Sequence, residues 1–582
     1  MAKVAIEAAD KLASQLNKEY KNGLSYYRKM GYLDKWPEYE RFKADDQWPA
    51  VTPRTKGLPR PVFNIIKMIE KHKVANVMSE QINMMFSLEE KEDASQVQAD
   101  TEGDPGAMFS RLAAATWEDI KQDDLNEEAL DVAANTGTAI MHYYYDTSIK
   151  GGVKTPYIGK MCGEVLDPIN VFFENPQQRN VQLQPGIIIS GRETVKSVRE
   201  FAKRNGMSEA NLTLIKADKD TQDQGYDMAK TEVDDADKVV TLTKYWKENG
   251  TVMFAKSACG ITIKKPTDTM LSLYPIAVMQ WDRRKKSIIG IGDTEGLIPN
   301  QKAINTLVAM QILSVQLTGW PKLLYKKGAI DPSKITNAPG EMIEDHLPVG
   351  QGDGAKYLTP GNISAVAGNL VEAILTYTRQ MTGADEAATG SAPSSDLNAT
   401  AIMLLQKASA IPIESIKRRF YSFIEDIGRI WEDIWKVKYN LPRQVTLKDD
   451  DGEEYPAMFD GSQYQDVPMS LKIDVGPSST YSESLMLSSL DKALDRGDID
   501  YMQYLKYAPH AVVPFRDRLM KELEEKKGII GQMEQLVASM QPEEKQVFDT
   551  MPPEQQFMFL QQNLLAQQAS QAVPNPPIAS GM

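Results

Sequence analysis

The stretch from Gly290 to Asn440 constrains the fold most, because it carries three helical patterns separated by two unlike interruptions. Apolar spacing predicts a helix over 297–317 and a second over 362–382. Ile304, Leu307, Val308, Ile312 and Val315 mark the expected stripe of the first. Ile363, Val366, Ala367, Leu370, Ile374 and Tyr377 mark that of the second. Each spans roughly 30 Å at about 1.5 Å per residue, and equal lengths suit an antiparallel pair. Between them, residues 318–361 are rich in Pro, Gly and Lys and read as a small module of their own. A Gly/Ala/Ser/Thr loop, 383–399, follows the second helix. The third pattern, 400–440, is a long helix expected to kink at Pro412, where proline removes one backbone N–H and crowds the preceding turn.

At 582 residues and 65.0 kDa the chain exceeds what one core supports, and two to four structural units are expected. No apolar run approaches the roughly 18 residues of a membrane span. The start, MAKVAIEAADKLASQ, mixes charged and apolar residues without the apolar core of a signal peptide, so cytosolic synthesis is expected. Cys162 and Cys259 stand far apart and read as reduced core thiols. His72, His142, His346 and His510 lack ligand spacing, so no metal and no cofactor are expected. Net charge is −14, from 66 basic and 80 acidic side chains. That balance argues against tight phosphate binding but not against enclosing a polyanion that must slide.

Residues 1–60 read as one or two amphipathic helices followed by a Trp/Pro-rich extended arm, WPAVTPRTKGLPRP. A helix is expected from Pro61 through PVFNIIKMIEKHKVANVMSEQINMMF, with Ile65, Met68, Ile69, His72, Val77 and Met78 inward. A helix pair ending near Gly137 comes next. The period then changes to strand in AIMHYYYD, GEVLDPINVFFENP and GIIISGRETV. VVTLTKYWKENGTVMFAKSACGITI reads as a hairpin turning at Asn249-Gly250. Residues 61–296 thus read as one α+β domain, completed by returning strands in 441–480. The acidic run 449–454 does not match an EF-hand loop and reads as a solvated hairpin turn. Helices are expected at 482–496 and 514–527. The part 481–572 is helical and rich in Gln and Met, and the tail 573–582 reads as disordered.

Sites for chemistry are scarce. Gly290-Ile-Gly292-Asp-Thr-Glu-Gly296 places its third glycine one position late for a dinucleotide fingerprint, and no Walker A sequence occurs. These glycines read as a sharp bend into the first long helix, which Pro299 helps to start. Arg283-Arg284-Lys285-Lys286 is short for a nucleic-acid signal and reads as a solvated or subunit-interface patch. The loop 383–399 is more discriminating: it holds Asp385, Glu386 and Asp396 with Thr389, Ser391 and Ser394, and no Lys or Arg. A loop this long in a compact protein is usually functional or disordered.

PVFNIIKMIE, NTGTAIMHYYYD, VLDPINVFFENP, GIGDTEGLIPNQKAINTLVAMQ and LTYTRQMTGADEAATGSAPSSDLNATAIMLLQKA occur in an order that resembles a bacteriophage portal protein, the head-to-tail connector of tailed phages. The similarity runs from about Pro61 to Gly528. It implies a predominantly helical α+β portal fold assembled as a ring of twelve, a virion component at one capsid vertex made in the host cytoplasm. In that scheme 61–296 is the wing, 297–317 and 362–382 the stem, 318–361 the clip, 383–399 the tunnel loop and 481–572 a helical crown. The short C-terminus departs from relatives with a long helical barrel. Asp385, Glu386, Thr389, Ser391, Ser394 and Asp396 become candidate DNA-channel residues. Lys322, Lys326, Lys327 and Lys334 become candidate clip contacts.

Implied partners are further copies of the chain, major capsid and scaffolding proteins, the terminase large subunit, tail adaptors, and double-stranded DNA passing through without sequence preference. No enzymatic activity and no membrane contact are implied. Twelve helices at about 10 Å spacing give a ring roughly 38 Å across between axes, leaving about 28 Å for a duplex roughly 20 Å wide. Twelve copies at −14 each carry −168 in all, a conduit that does not grip. The alternative is another virion structural protein, a head–tail adaptor or tail-tube component. It predicts a ring of different size, or none, and no terminase binding.

Overall fold

The computed structural model describes residues 10–88, 105–151, 157–217, 238–320, 322–329, 354–358, 366–383, 399–440, 443–448, 454–475 and 490–507, with a few single positions besides. The elements in chain order open with helices α1 (Lys11–Met30), α2 (Tyr32–Lys43) and α3 (Ile65–Val77) and strand β1 (Ile82–Leu88). Helices α4 (Pro105–Asp119) and α5 (Gln122–Thr136) precede strands β2 (Thr138–Gly151), β3 (Tyr157–Leu166), β4 (Val171–Phe173) and β5 (Gly186–Thr194). Then come α6 (Val195–Arg204), the short α7 (Glu209–Leu212), and strands β6 (Lys238–Glu248), β7 (Thr251–Ala258), β8 (Ile261–Asp268) and β9 (Ile276–Gln280). Helix α8 (Asp293–Gly319), the strand pair β10 (Lys322–Tyr325) and β11 (Ala355–Leu358), α9 (Val366–Thr382) and α10 (Ala399–Lys438) follow. Strands β12 (Arg443–Lys448), β13 (Glu454–Phe459) and β14 (Met469–Val475) and helix α11 (Tyr501–Tyr507) close the order. Among the described residues 50% are helical and 24% strand, a mixed α and β protein with helix in excess. Among the described residues no helix is long and apolar enough to cross a membrane.

The chain divides into two compact units, Met1–Asp449 with Glu454–Gly476, and Asp450–Glu453 with Pro477–Met582. In the first, strands β4 to β8 form an antiparallel sheet in sequential order, and β2 lies between β3 and β9 in another. Asn249 (φ 53°) and Gly250 (φ 89°) make the tight β6–β7 turn read from the sequence, since both positions need left-handed backbone. Gly137 (φ 95°) ends α5 in the same way and sends the chain into β2.

One core unites most of this unit. The stripe Ile413, Ile416, Phe420, Ile424, Ile427, Trp431 and Ile434 of α10 is buried as expected, and Trp435 extends it. Each such side chain contributes about 1.5–3 kcal/mol by leaving water. Phe86, Phe109, Phe459 and Trp435 pack ring on ring across elements distant in sequence. The helices of 1–60 share this core through Tyr20, Leu24 and Tyr27 on one face of α1, and Tyr27 donates to the Val171 carbonyl on β4.

Several expectations need correction. The helix expected from Pro61 to Phe86 is two elements. Asn64 caps α3 by accepting from Lys67 N at 3.0 Å, so 61–64 stay outside it. Residues 82–88 pair antiparallel with β14, from Ile82↔Val475 to Leu88↔Met469. Met84 and Phe86 point in and Met85 out, a period of two hidden at the end of a helical pattern. Met68, read as inward, is exposed. Cys259 is no core thiol: it is exposed at the β7–β8 turn, with φ 51°. Helix α10 continues from Ala399 to Lys438 with Pro412 inside it, so the proline does not end the helix.

Strands β12 and β13 pair from Arg443↔Phe459 to Lys448↔Glu454, while 449–453 of the acidic run lie outside the described residues. In the second unit, Tyr501 and Tyr504 of α11 stack at 5.9 Å, and Tyr504 Oη donates to Asp491 at 2.8 Å. The helix expected at 514–527 and the tail 573–582 lie outside the described residues, a few single positions excepted.

Candidate functional site

The site is the pair α8 and α9 with the β10–β11 strands at its far end. Helix α8 begins at Asp293, one turn before the expected 297, so Gly296 and Pro299 lie inside it. Gly290 and Gly292, just before it, are fixed by close backbone approach. A Cβ on Gly290 would overlap the Gly137 carbonyl oxygen, and one on Gly292 would overlap the Asn135 carbonyl. Both are close backbone crossings between the start of α8 and the end of α5.

Polar groups clamp the base of α8. Asp293 accepts from Lys73 Nζ at 2.8 Å and from Trp281 Nε1 at 3.0 Å. Thr294 donates to Glu70 and lies 2.9 Å from Asn135 Oδ1. Gln301 is buried, accepts from Ile65 N at 2.9 Å and donates to the Phe63 carbonyl at 2.7 Å. It also donates to Asn305, whose amide donates to Gln47 at 2.6 Å. Removing one partner here strands a buried polar group at about 1–3 kcal/mol.

Glu70 is fully buried, with Lys43 3.4 Å from its second oxygen, and Lys43 in turn pairs with Asp131 at 2.6 Å. Burial pushes the Glu70 carboxyl up to about 7, against the pull of Lys43 and the Thr294 bond. A carboxyl raised above its unfolded value favours the folded chain while protonated. Between its ordinary 4.5 and about 7 the unfolded chain loses this proton first. Stability should therefore fall as pH rises through that window, by at most about 3 kcal/mol. Glu70→Gln is expected to flatten this slope. Denaturant unfolding of both chains at pH 5 and 8 checks it: parallel slopes would count against Glu70 as the source.

Beyond the base the pair is only partly covered among the described residues. Asn300 Nδ2 donates to Thr378 Oγ1 at 3.0 Å, and Gly368 faces Gln311, so the helices run antiparallel as expected. Helix α8 has 27 residues and α9 is described over 17, with 361–365 before it outside the described residues. From Thr306 to Gly319 no residue of α8 is buried. Of its expected stripe only Ile304 is buried, while Val315 is 72% exposed and Trp320 80%. The inner face of α9 is Val371, Ile374, Leu375 and Thr378, whereas Leu370 and Tyr377 of the expected stripe point outward. The side chains of Ile363, Val366 and Ala367 lie outside the described residues.

At the far end β10 and β11 pair from Lys322↔Leu358 to Tyr325↔Ala355. Lys322, Lys326 and Lys327 are exposed there, beside exposed Leu324 and Tyr357. Lys334 lies outside the described residues, as do Asp385, Glu386, Thr389, Ser391, Ser394 and Asp396 of the loop 383–399. Gly383 (φ 72°) ends α9, and Pro412 is exposed.

The sequence reading missed the Glu70 cluster. Its members come from α2, α3, α5 and α8, so no local spacing announces it. His142 proves structural: it meets Glu164 at 2.8 Å and Tyr245 Oη at 3.0 Å. Among the described residues no group of three or more His, Cys, Asp or Glu could hold a metal ion. Compared with protein-family models and with curated proteins, the chain matches none.

Proposed function

We propose that this chain is a phage portal subunit, assembling into a ring whose channel passes double-stranded DNA during packaging and ejection. One observation supports it above the rest. The distal half of α8 carries apolar residues on all sides, yet among the described residues none from Thr306 to Gly319 is buried, and Met310 and Val315 are more than half exposed. A helix apolar all round belongs in a buried setting, and neighbouring copies of the same helix supply one.

Between residues 303 and 319, α8 carries no charged side chain, so a wall built of it offers DNA no cation to hold. In this reading α8 and α9 are the stem, the β10–β11 module with Lys322, Lys326, Lys327 and Lys334 meets terminase and adaptors, and 383–399 is the tunnel loop. The loop acts through Asp385, Glu386 and Asp396 as a weakly repelling constriction, with Thr389, Ser391 and Ser394 as neutral contacts. The ring sits at one capsid vertex of the virion and needs no catalytic residue.

Native mass spectrometry with negative-stain images tests the assembly. Twelve copies of 65.0 kDa give about 780 kDa, with a central hole. A chain monomeric at all concentrations, alone and with scaffolding or capsid protein, would sink the proposal. A separate test addresses the loop: Asp385→Lys with Glu386→Lys is expected to slow packaging or shorten the packaged length severalfold, by turning repulsion of phosphate into attraction. Unchanged rate and length would remove the loop from the channel.

A further inference from the structure

A cleft of about 270 Å³ opens between the edge strand β9 and helix α10. Arg179, Arg283 and Arg419 line it, with Gln280 and Asp426. Arg419 reaches Asp282 at 2.9 Å, yet its Nε is buried without a hydrogen-bond partner. Arg179 and Arg283 are exposed, and neither makes an ion pair among the described residues. Lys285 and Lys286 stand exposed on the same loop as Arg283. A chain of net charge −14 thus concentrates unpaired cations around one concave site.

The same unit carries the opposite feature. Asp123, Asp124, Glu127 and Glu128 are exposed on the first two turns of α5, again without ion pairs among the described residues. They cannot reach the cleft of their own chain easily. Gly137 at the far end of α5 abuts Gly290, which closes the basic loop, and Asp123 lies about 20 Å from it along the helix. Two complementary patches, unused within one subunit and set apart, make a head-to-tail contact, the type that closes into rings.

We propose that the Arg179/Arg283/Arg419 cleft of one copy receives the Asp123–Glu128 face of the next copy. The inference rests on the ring reading and names a contact that orders neighbours in it. It also offsets the mutual repulsion expected of acidic subunits.

Charge reversal in the full chain tests it. One variant carries Asp123→Lys, Asp124→Lys, Glu127→Lys and Glu128→Lys; the other carries Arg179→Glu, Arg283→Glu and Lys285→Glu. All seven sites are exposed. Each variant alone is expected to need at least tenfold more protein to form rings, read by native mass spectrometry and sedimentation. Mixed in equal amounts, the two should assemble again, because alternating copies restore both pairings. The wild-type contact should weaken as ionic strength rises from about 0.1 M to about 1 M, where the Debye length falls from about 10 Å to about 3 Å.

Single variants that assemble like wild type, or folded variants that stay apart when mixed, overturn the contact while leaving the ring reading in place. Should thermal unfolding show a reversed chain to be misfolded, Arg283→Gln and Asp124→Asn replace it, with a smaller shift in the same direction expected. A cleft variant that loses duplex DNA binding but keeps its rings assigns the cleft to phosphate and overturns the contact. A wild-type chain that never closes a ring overturns both readings together.

Discussion

A Gly290→Ala chain is expected to lose about 3 kcal/mol of stability or more, because the added carbon meets backbone on two sides. The Gly137 carbonyl overlaps it, and the Asp282 carbonyl lies 2.8 Å away. Neither can step aside. Gly137 O accepts from Trp281 N at 3.0 Å, and Asp282 is held by its bridge to Ile291. Gly290 N itself donates to Thr138 Oγ1 at 2.9 Å. Relief must therefore separate the start of α8 from the end of α5 and loosen the Asp293 and Thr294 contacts beside it. The control is Gly296→Ala, six residues on and inside α8, where an added carbon meets nothing within 4 Å. It should stabilise by about 0.5–1 kcal/mol, since alanine loses less backbone freedom in a helix. Urea unfolding of the two variants should move in opposite directions. Equal effects would mean that the crossing at Gly290 is not the tight point described.

Val315→Asp combined with Tyr377→Asp should leave the isolated subunit within about 0.5 kcal/mol of wild type per site, because both side chains are mostly in water. Its effect on assembly should be far larger. A carboxylate pressed into an apolar contact without a partner costs several kcal/mol, and about 1.4 kcal/mol is a factor of ten in association. Each copy would meet that cost at its neighbours, so the ring fraction should fall more than a hundredfold at fixed concentration. Ile304→Asp is the contrasting case: that residue is buried, and the subunit itself should unfold. If the Val315/Tyr377 double variant assembled like wild type, the uncovered half of α8 would not lie between copies.

Strong periodicity was legible in the sequence and local competition was not. The α10 stripe from Ile413 to Ile434 repeats helical spacing over six turns, so its burial could be read directly. Asn249-Gly250 announced its turn because few residues accept left-handed backbone twice in succession. The strand at Met84 and Phe86 was missed because a helix of similar apolar content precedes it within one turn. The stripes of α8 and α9 were assigned by spacing alone. An all-apolar helix has no preferred side in sequence, and Asn300 pairing with Thr378 decided which face turned inward. The clamp of Gln47, Gln301 and Asn305 joins positions more than 250 residues apart, and such pairing leaves no trace in any window.

The pairing of β1 with β14 sets a timetable for the newborn chain. Ile82 meets Val475, which the ribosome adds 393 positions later. At about 5–20 residues per second that interval is roughly 20–80 s. Throughout it Met84 and Phe86 wait on an open edge, with the rest of their core still unmade. The body is finished only when synthesis has passed α8, α9 and α10. If copies assemble as proposed, early encounters on the same messenger involve incomplete chains, and closure falls to released, finished copies.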